Sequence, residues 1–192
     1  MTTTRLTLVR HGRSAMDPTT APHHWDLAAD AADGLIRLRD SGVLPAKAHW
    51  YSSPEPKAVA TAAALTIRSV IEIDDLREAE RPATWFDDAA EFVAAVRRAL
   101  NVPDEPAVSG WEPASATRRR VVRAVRGLVD DPDRPADIVL VGHGTAWTLL
   151  VAELTGRAPD LVAWQRMAMP DIAVLEVSTS DAPAILVRDW AG

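Results

Sequence analysis

The chain has 192 residues, of which 47% are apolar and 25% charged, the proportions of a globular protein large enough for one self-supporting core. A net charge of −6 gives no global attraction for nucleic acid, and the lack of cysteine excludes disulfides, thiolate metal sites and thiol nucleophiles together. No apolar run approaches the roughly 20 residues of a membrane span, and the opening Met1-Thr2-Thr3-Thr4-Arg5 lacks the regions of a secretory signal. Cytoplasm is the expected location. The seven tryptophans read mostly as large packing residues.

Taken in order, Leu6 to Val9 is a short apolar run with the pattern of a buried parallel strand. It ends in Arg10-His11-Gly12-Arg13-Ser14. A polar loop from Met16 to Trp25 follows, with the pair His23-His24. Asp26 is placed to cap a helix whose inner side is Leu27, Ala31, Leu35 and Leu38. Ala48 to Ser52 reads as a second strand, Pro56 to about Thr66 as a second helix, and Ser69 to Ile73 as a third strand. Between Asp75 and Pro113 the clearest element is an amphipathic helix over Phe86 to Leu100; Asn101 to Pro113 is a proline-rich loop. Ser115 to Asp130 is a basic helix with Val121, Val122, Val125 and Leu128 inward. Its Arg118, Arg119, Arg120, Arg123 and Arg126 read as a solvated face rather than a polyanion site, with Arg120 free to meet an acidic neighbour. Asp137 to Gly142 is an apolar strand that ends in His143-Gly144-Thr145, where a helix begins and runs to Thr155. Two last strands, Ile172 to Ser178 and Ala184 to Arg188, are joined by a turn around Ser180-Asp181. Alternating strands and helices imply an α/β fold of residues 1–192 as one domain: a three-layer α/β/α sandwich whose central sheet is mostly parallel, with an antiparallel strand near its end.

Two apolar strands therefore end alike, in Arg10-His11-Gly12 and Gly142-His143-Gly144. Ligands of an open α/β sheet bind beyond the carboxyl ends of its strands. Both histidines can meet in that crevice, with glycines allowing close approach and a following helix directing its first amides towards an anion. No Gly-x-Ser-x-Gly elbow or Gly-x-x-x-x-Gly-Lys loop is present, which argues against a serine hydrolase and a P-loop NTPase. His23-His24-Trp25-Asp26 reads as a loop near the site entrance, with no third group to complete a metal site.

These blocks resemble the histidine phosphatase superfamily, also called phosphoglycerate-mutase-like. Arg10-His11-Gly12 and Ser14 are similar to its first block. Ser52-Ser53-Pro54, Lys57-Ala58 and Thr61-Ala62 resemble its second, Leu76-Arg77-Glu78 its acid block, and Gly142-His143-Gly144 its last. The resemblance implies a phosphoglycerate-mutase-like fold and His11 as a nucleophile that carries a phosphohistidine. It also implies that Arg10 and His143 hold the transferring oxygens, with Glu78 as general acid. Arg13, Ser14, Lys57 and Gly144 would complete a phosphate pocket that needs no cofactor and no metal.

Three positions depart from the family pattern. Lys57 stands where an arginine is expected, keeping the charge but losing the bidentate fork. Asp17 brings a carboxylate near an anion pocket. Glu80 competes with Glu78, and in an extended segment only one of the two faces the pocket. The reading is a metal-independent phosphatase acting on a small phosphorylated molecule, with neither nucleic acid nor membrane as partner. The alternatives are a weakly active or non-catalytic phospho-ligand-binding domain, kept open by Lys57, and a mutase-type phosphotransferase, for which the chain looks short. A phosphohistidine-protein phosphatase would need a more open pocket than the Trp25 loop implies. The sequence names neither the substrate nor the oligomeric state.

Overall fold

In the computed structural model, which describes residues 3–83, 85–179 and 182–191, a six-stranded mixed sheet is covered by helices on both faces. The strands are β1 (Thr3–Arg10), β2 (His49–Ser52), β3 (Val70–Glu72), β4 (Asp137–Gly142), β5 (Asp171–Ser178) and β6 (Ile185–Arg188), in the order β3-β2-β4-β1-β5-β6. β1, β2, β3 and β4 run parallel; β5 is antiparallel to both β1 and β6. Each parallel pair is separated in sequence by a helix, the crossover such pairing requires. The expected turn around Ser180-Asp181 falls outside the described residues.

Leu6, Leu8 and Val9 are fully buried because β1 lies inside the sheet and has helices above and below. One face packs Leu6, Leu8, Ile138 and Leu140 against Val121, Val125 and Val129 of α4 (Ala114–Val129) and Trp147, Leu150 and Leu154 of α5 (Gly144–Thr155). The other packs Val9, Trp50, Val139 and Val141 against Leu35 of α1 (Ala32–Asp40) and Ala58, Ala62 and Leu65 of α2 (Pro56–Leu65). A third cluster joins α3 (Ala89–Asn101) to Trp111 and Leu149, with Trp164 of α6 (Leu161–Arg166) against it.

The expected elements are present, with three differences that have local causes. Helix α1 starts at Ala32, not after Asp26. Ala15 donates to the Asp26 carbonyl (2.9 Å) and Ala28 to the Arg13 carbonyl (2.8 Å), so residues 26–28 are drawn into an extended bridge with residues 13–15. Helix α3 starts at Ala89, where the Asp88 carboxylate accepts from the Ala90 N–H at 2.7 Å. This leaves Phe86 outside the helix, packed on Phe92 and Trp111. The short α6 was not expected; Asp160 caps it by accepting from the Ala163 N–H at 2.9 Å. In α4, Val121, Val125 and Val129 are fully buried, while Val122 and Leu128 sit at the margin.

Strand register fixes the site. Arg10 of β1 lies opposite Gly142 of β4 on one side and Asp171 of β5 on the other. β1 and β4 thus end at the same level, and the residue after each end is a histidine. Gly142 is required there, since a Cβ would stand 2.5 Å from the Trp147 ring. That ring is anchored by Trp147 Nε1 donating to the Val9 carbonyl at 2.9 Å.

Candidate active site

His11 and His143 stand with ring centroids 5.1 Å apart and planes inclined by 62°. His11 Nδ1 lies 2.7 Å from the Gly12 carbonyl. A carbonyl can only accept, so Nδ1 carries the proton and Nε2 keeps its lone pair. Burial, then the neighbouring His143, Lys57 and Arg10 charges, hold the His11 pKa well below the usual 6.5, against a smaller upward effect of the Gly12 carbonyl. The ring is therefore neutral and nucleophilic at ordinary pH.

His143 is fully buried, and its Nε2 lies 2.8 Å from Ser53 Oγ. Ser53 Oγ already accepts from the Glu55 N–H at 3.2 Å, so its own hydrogen is free to donate to Nε2. The His143 proton then sits on Nδ1, a buried atom with no hydrogen-bond partner. Burial lowers the His143 pKa to about 3, with Glu78 opposing and Lys57, Arg81 and Arg120 assisting. Arg10 donates from Nη1 to the Met167 carbonyl at 2.6 Å, while its buried Nε is also without a partner. Buried donors are normally satisfied, and both residues line the same cavity as His11. Gly144 leaves the space Arg10 occupies: a Cβ there would lie 3.4 Å from both Arg10 Nε and Trp164 Nε1.

Glu78 is placed by a 3-10 turn, Asp74–Leu76, and by the first turn of α5. Its Oε1 accepts from Ala146 (2.9 Å) and Ala79 (3.0 Å), and its Oε2 from Thr145 (3.1 Å). The amides of α5 that sequence reasoning assigned to a bound anion are thus taken by this carboxylate. Burial tends to raise the Glu78 pKa, but His143, Arg81 and the donated N–H groups outweigh it and the net shift is downward. His143 is uncharged above its own lowered pKa, so near neutral pH the effect is carried by Arg81 and the backbone donors.

The other expected residues lie around the same cavity of about 360 Å3, which Arg13, Ser14 and Lys57 also line. The Arg13 guanidinium is engaged by Asp30 at the exposed rim, through Nε at 2.9 Å and through Nη2. Ser14 is held by a backbone bridge to Leu27. Lys57 is buried, and its ammonium is given to the Glu55 carboxylate (2.5 Å) and the Pro22 carbonyl (2.7 Å). Asp17 turns into its own loop, accepting from the Thr19 N–H (2.8 Å) and hydroxyl (2.6 Å), and is not among the cavity-lining residues. Glu80 lines the cavity but is exposed, in contrast to Glu78.

Sequence reasoning missed Glu55, Glu112 and Arg81 of this site, and of Arg120 it gave only the pairing with an acidic neighbour. Glu55 pairs with Lys57, accepts from the Glu78 N–H at 2.7 Å and lies 3.4 Å from His143 Nε2. Its proximity to Lys57, two positions on, was the available signal. Arg120 donates to the carbonyls of Asp75 (2.9 Å), Arg77 (2.6 Å) and Glu78 (2.7 Å), and its Nη2 meets Glu112 at 2.7 Å. It turns inward from the basic face of α4 to hold the segment that carries Glu78; Glu112 completes the clamp by accepting from the Glu80 N–H at 3.0 Å. Arg81 lies against the aromatic rings of Phe92 and Trp111.

The sheet thus sets two histidines at adjacent strand ends beside an arginine. A sequence profile of the histidine phosphatase superfamily (branch 1) matches residues 6–189. The protein belongs to that superfamily. No curated protein matches the chain by sequence. Solved structures share its fold. Mycobacterial glucosyl-3-phosphoglycerate phosphatase superposes with a TM-score of 0.75 at 21% identity, covering 99% of this chain and 100% of that one. A mutant phosphoserine phosphatase from Entamoeba histolytica in complex with phosphoserine gives 0.72 at 17%, covering 98% and 97%. Phosphoglycerate mutase from Bacillus anthracis gives 0.77 at 15%, covering 97% and 92%. Among the described residues no helix is long and apolar enough to cross a membrane.

Proposed function

We propose that the protein is a phosphatase that hydrolyses a small phosphomonoester through a phosphohistidine on His11. The observation that carries this reading is the pair of buried, unpartnered donors, Arg10 Nε and His143 Nδ1, beside a neutral His11 whose Nε2 lone pair is free. A phosphoryl group supplies the oxygens those donors lack.

In the first step His11 Nε2 forms a bond to phosphorus as the bond to the leaving oxygen breaks. That oxygen takes a proton from the Glu78 carboxyl. Arg10 and His143 hold the non-bridging oxygens as charge redistributes. In the second step a water oxygen attacks phosphorus, the N–P bond breaks, and Glu78 recovers a proton from the water. The lowered pKa keeps Glu78 ionised before substrate binds. A phosphate dianion beside it raises its pKa by like-charge repulsion, which supplies the acid form where it is needed.

Arg10 and the His143 N–H supply at the phosphoryl oxygens the stabilisation that a divalent ion can provide elsewhere. Para-nitrophenyl phosphate is therefore hydrolysed with EDTA present, as followed by nitrophenolate absorbance. No turnover across phosphomonoesters and a pH series would refute the reading. The engagement of Lys57 by Glu55 favours a second reading, a phospho-ligand-binding domain without turnover, in which the same ligands bind but are not cleaved. We place residues 1–192 in one domain, and a cysteine-free chain fits the reducing cytoplasm.

A further inference from the structure

Six cationic side chains other than histidine line the cavity: Arg10, Arg13, Lys57, Arg77, Arg81 and Arg120. Four are neutralised, Arg13 by Asp30, Lys57 by Glu55, Arg77 by Asp74 and Arg120 by Glu112. Arg10 belongs to the phosphoryl site. Arg81 remains, and it makes neither an ion pair nor a hydrogen bond among the described residues; its Nε is buried without a partner.

Arg81 is nonetheless held. Its guanidinium carbon lies 5.2 Å from the Phe92 ring centroid and 5.3 Å from that of Trp111. Cation–π contact of this kind holds a guanidinium in place without using its N–H groups. The two rings are themselves packed together at 6.2 Å, and Phe92 rests on Trp164 at 5.9 Å. Trp164 in turn abuts Gly144, so the aromatic wall runs from the phosphoryl site outward to Arg81. Its charge is felt at Arg10, Glu78 and His143 without contact. A cavity of about 360 Å3 lies within the roughly 300–1,000 Å3 of small-molecule sites and exceeds what a phosphoryl group fills. Glu80 lines the same cavity and forms no ion pair with Arg81.

We infer that Arg81 is a specificity-determining residue that receives a second anionic group of the substrate, a carboxylate or second phosphate, set apart from the phosphoryl group that His11 takes. The inference rests on the phosphatase reading for its kinetic test, and a binding measurement separates the two.

The test uses three matched pairs: 3-phosphoglycerate with glycerol 3-phosphate, 6-phosphogluconate with sorbitol 6-phosphate, and glucose 1,6-bisphosphate with glucose 6-phosphate. The wild-type protein favours the more charged member in kcat/KM by about tenfold to a hundredfold, the range of a charge-assisted hydrogen bond. Arg81→Met, which keeps the packed stem, removes the preference within each pair; loss of its charge near Glu78 changes both members by a common factor, so the ratio of the two is the readout, and Arg81→Lys retains part of that ratio. A wild-type preference near one in all three pairs would overturn the inference, as would equal losses on both members in Arg81→Met. If the wild-type protein cleaves none of them, titration calorimetry decides. Tighter binding of the charged members that Arg81→Met abolishes supports Arg81 and defeats only the phosphatase reading, whereas equal or absent binding overturns the assignment.

Discussion

Replacing Lys57 by methionine removes one half of a buried ion pair. Lys57 and Glu55 are about as buried as each other, with side-chain exposures of 5% and 4%, and Lys57 satisfies Glu55 Oε2 directly. Breaking such a pair from one side leaves an uncompensated charge and costs about 3–5 kcal/mol, whereas removing both charges is often nearly neutral. Lys57→Met therefore lowers the unfolding free energy by about 3–5 kcal/mol near neutral pH. Adding Glu55→Gln to Lys57→Met restores most of it, since the glutamine carbonyl can still accept from the Glu78 N–H. The unpaired Glu55 of the single variant also sits beside His143, where its negative charge repels a phosphate and raises KM about tenfold. Lys57→Arg keeps the pair and the activity. Urea unfolding of the two single variants and the double variant gives the coupling energy, and steady-state kinetics gives KM. Additive effects, with Lys57→Met costing less than about 1 kcal/mol, would refute the claim that this pair is a desolvated unit of the pocket.

Glu78→Gln lowers kcat on alkyl phosphates by about 10²- to 10⁴-fold. It affects para-nitrophenyl phosphate far less, because that leaving group departs without a proton. Glu80→Gln leaves both substrates near the parent values, and the reverse pattern transfers the acid role to Glu80. Stability falls on acidification. The unfolded chain protonates His11 and His143 near 6.5, while the folded chain keeps His143 neutral to about 3 and His11 neutral well below 6.5. The unfolded state thus binds more protons below about pH 6.5, and stability declines there by up to about 1.4 kcal/mol per pH unit for each histidine that stays neutral, for His143 down to about pH 3. Denaturant unfolding at pH 7 and pH 5 measures the slope. His143→Gln flattens it, and an unchanged slope would contradict the assigned burial effect.

The paired histidines were legible because each follows an apolar run, and the register of β1 on β4 does the rest. Glu78 was legible through its block, though not its contact with α5. The start of α1 was not legible, since pairing of residues 26–28 with residues 13–15 overrides a good local cap at Asp26. Glu55, Arg81 and Glu112 were invisible, and of Arg120 only the acidic partner was legible, for a common reason. Their roles come from segments distant in sequence meeting around one cavity, and a charged residue on an amphipathic helix or in a loop looks the same whether it faces water or a pocket. Arg120 shows this best: its neighbours in the basic run are the solvated face that was expected, while it alone reaches three carbonyls of the Glu78 segment.

Trapping the phosphoenzyme tests the central claim most directly. Rapid quenching of the protein during turnover of a 32P-labelled phosphomonoester yields a protein-bound phosphate that is labile to acid and stable to alkali, and His11→Ala abolishes both it and turnover. An acid-stable phosphoenzyme, or undiminished turnover by His11→Ala, would contradict the assignment of His11 as the nucleophile.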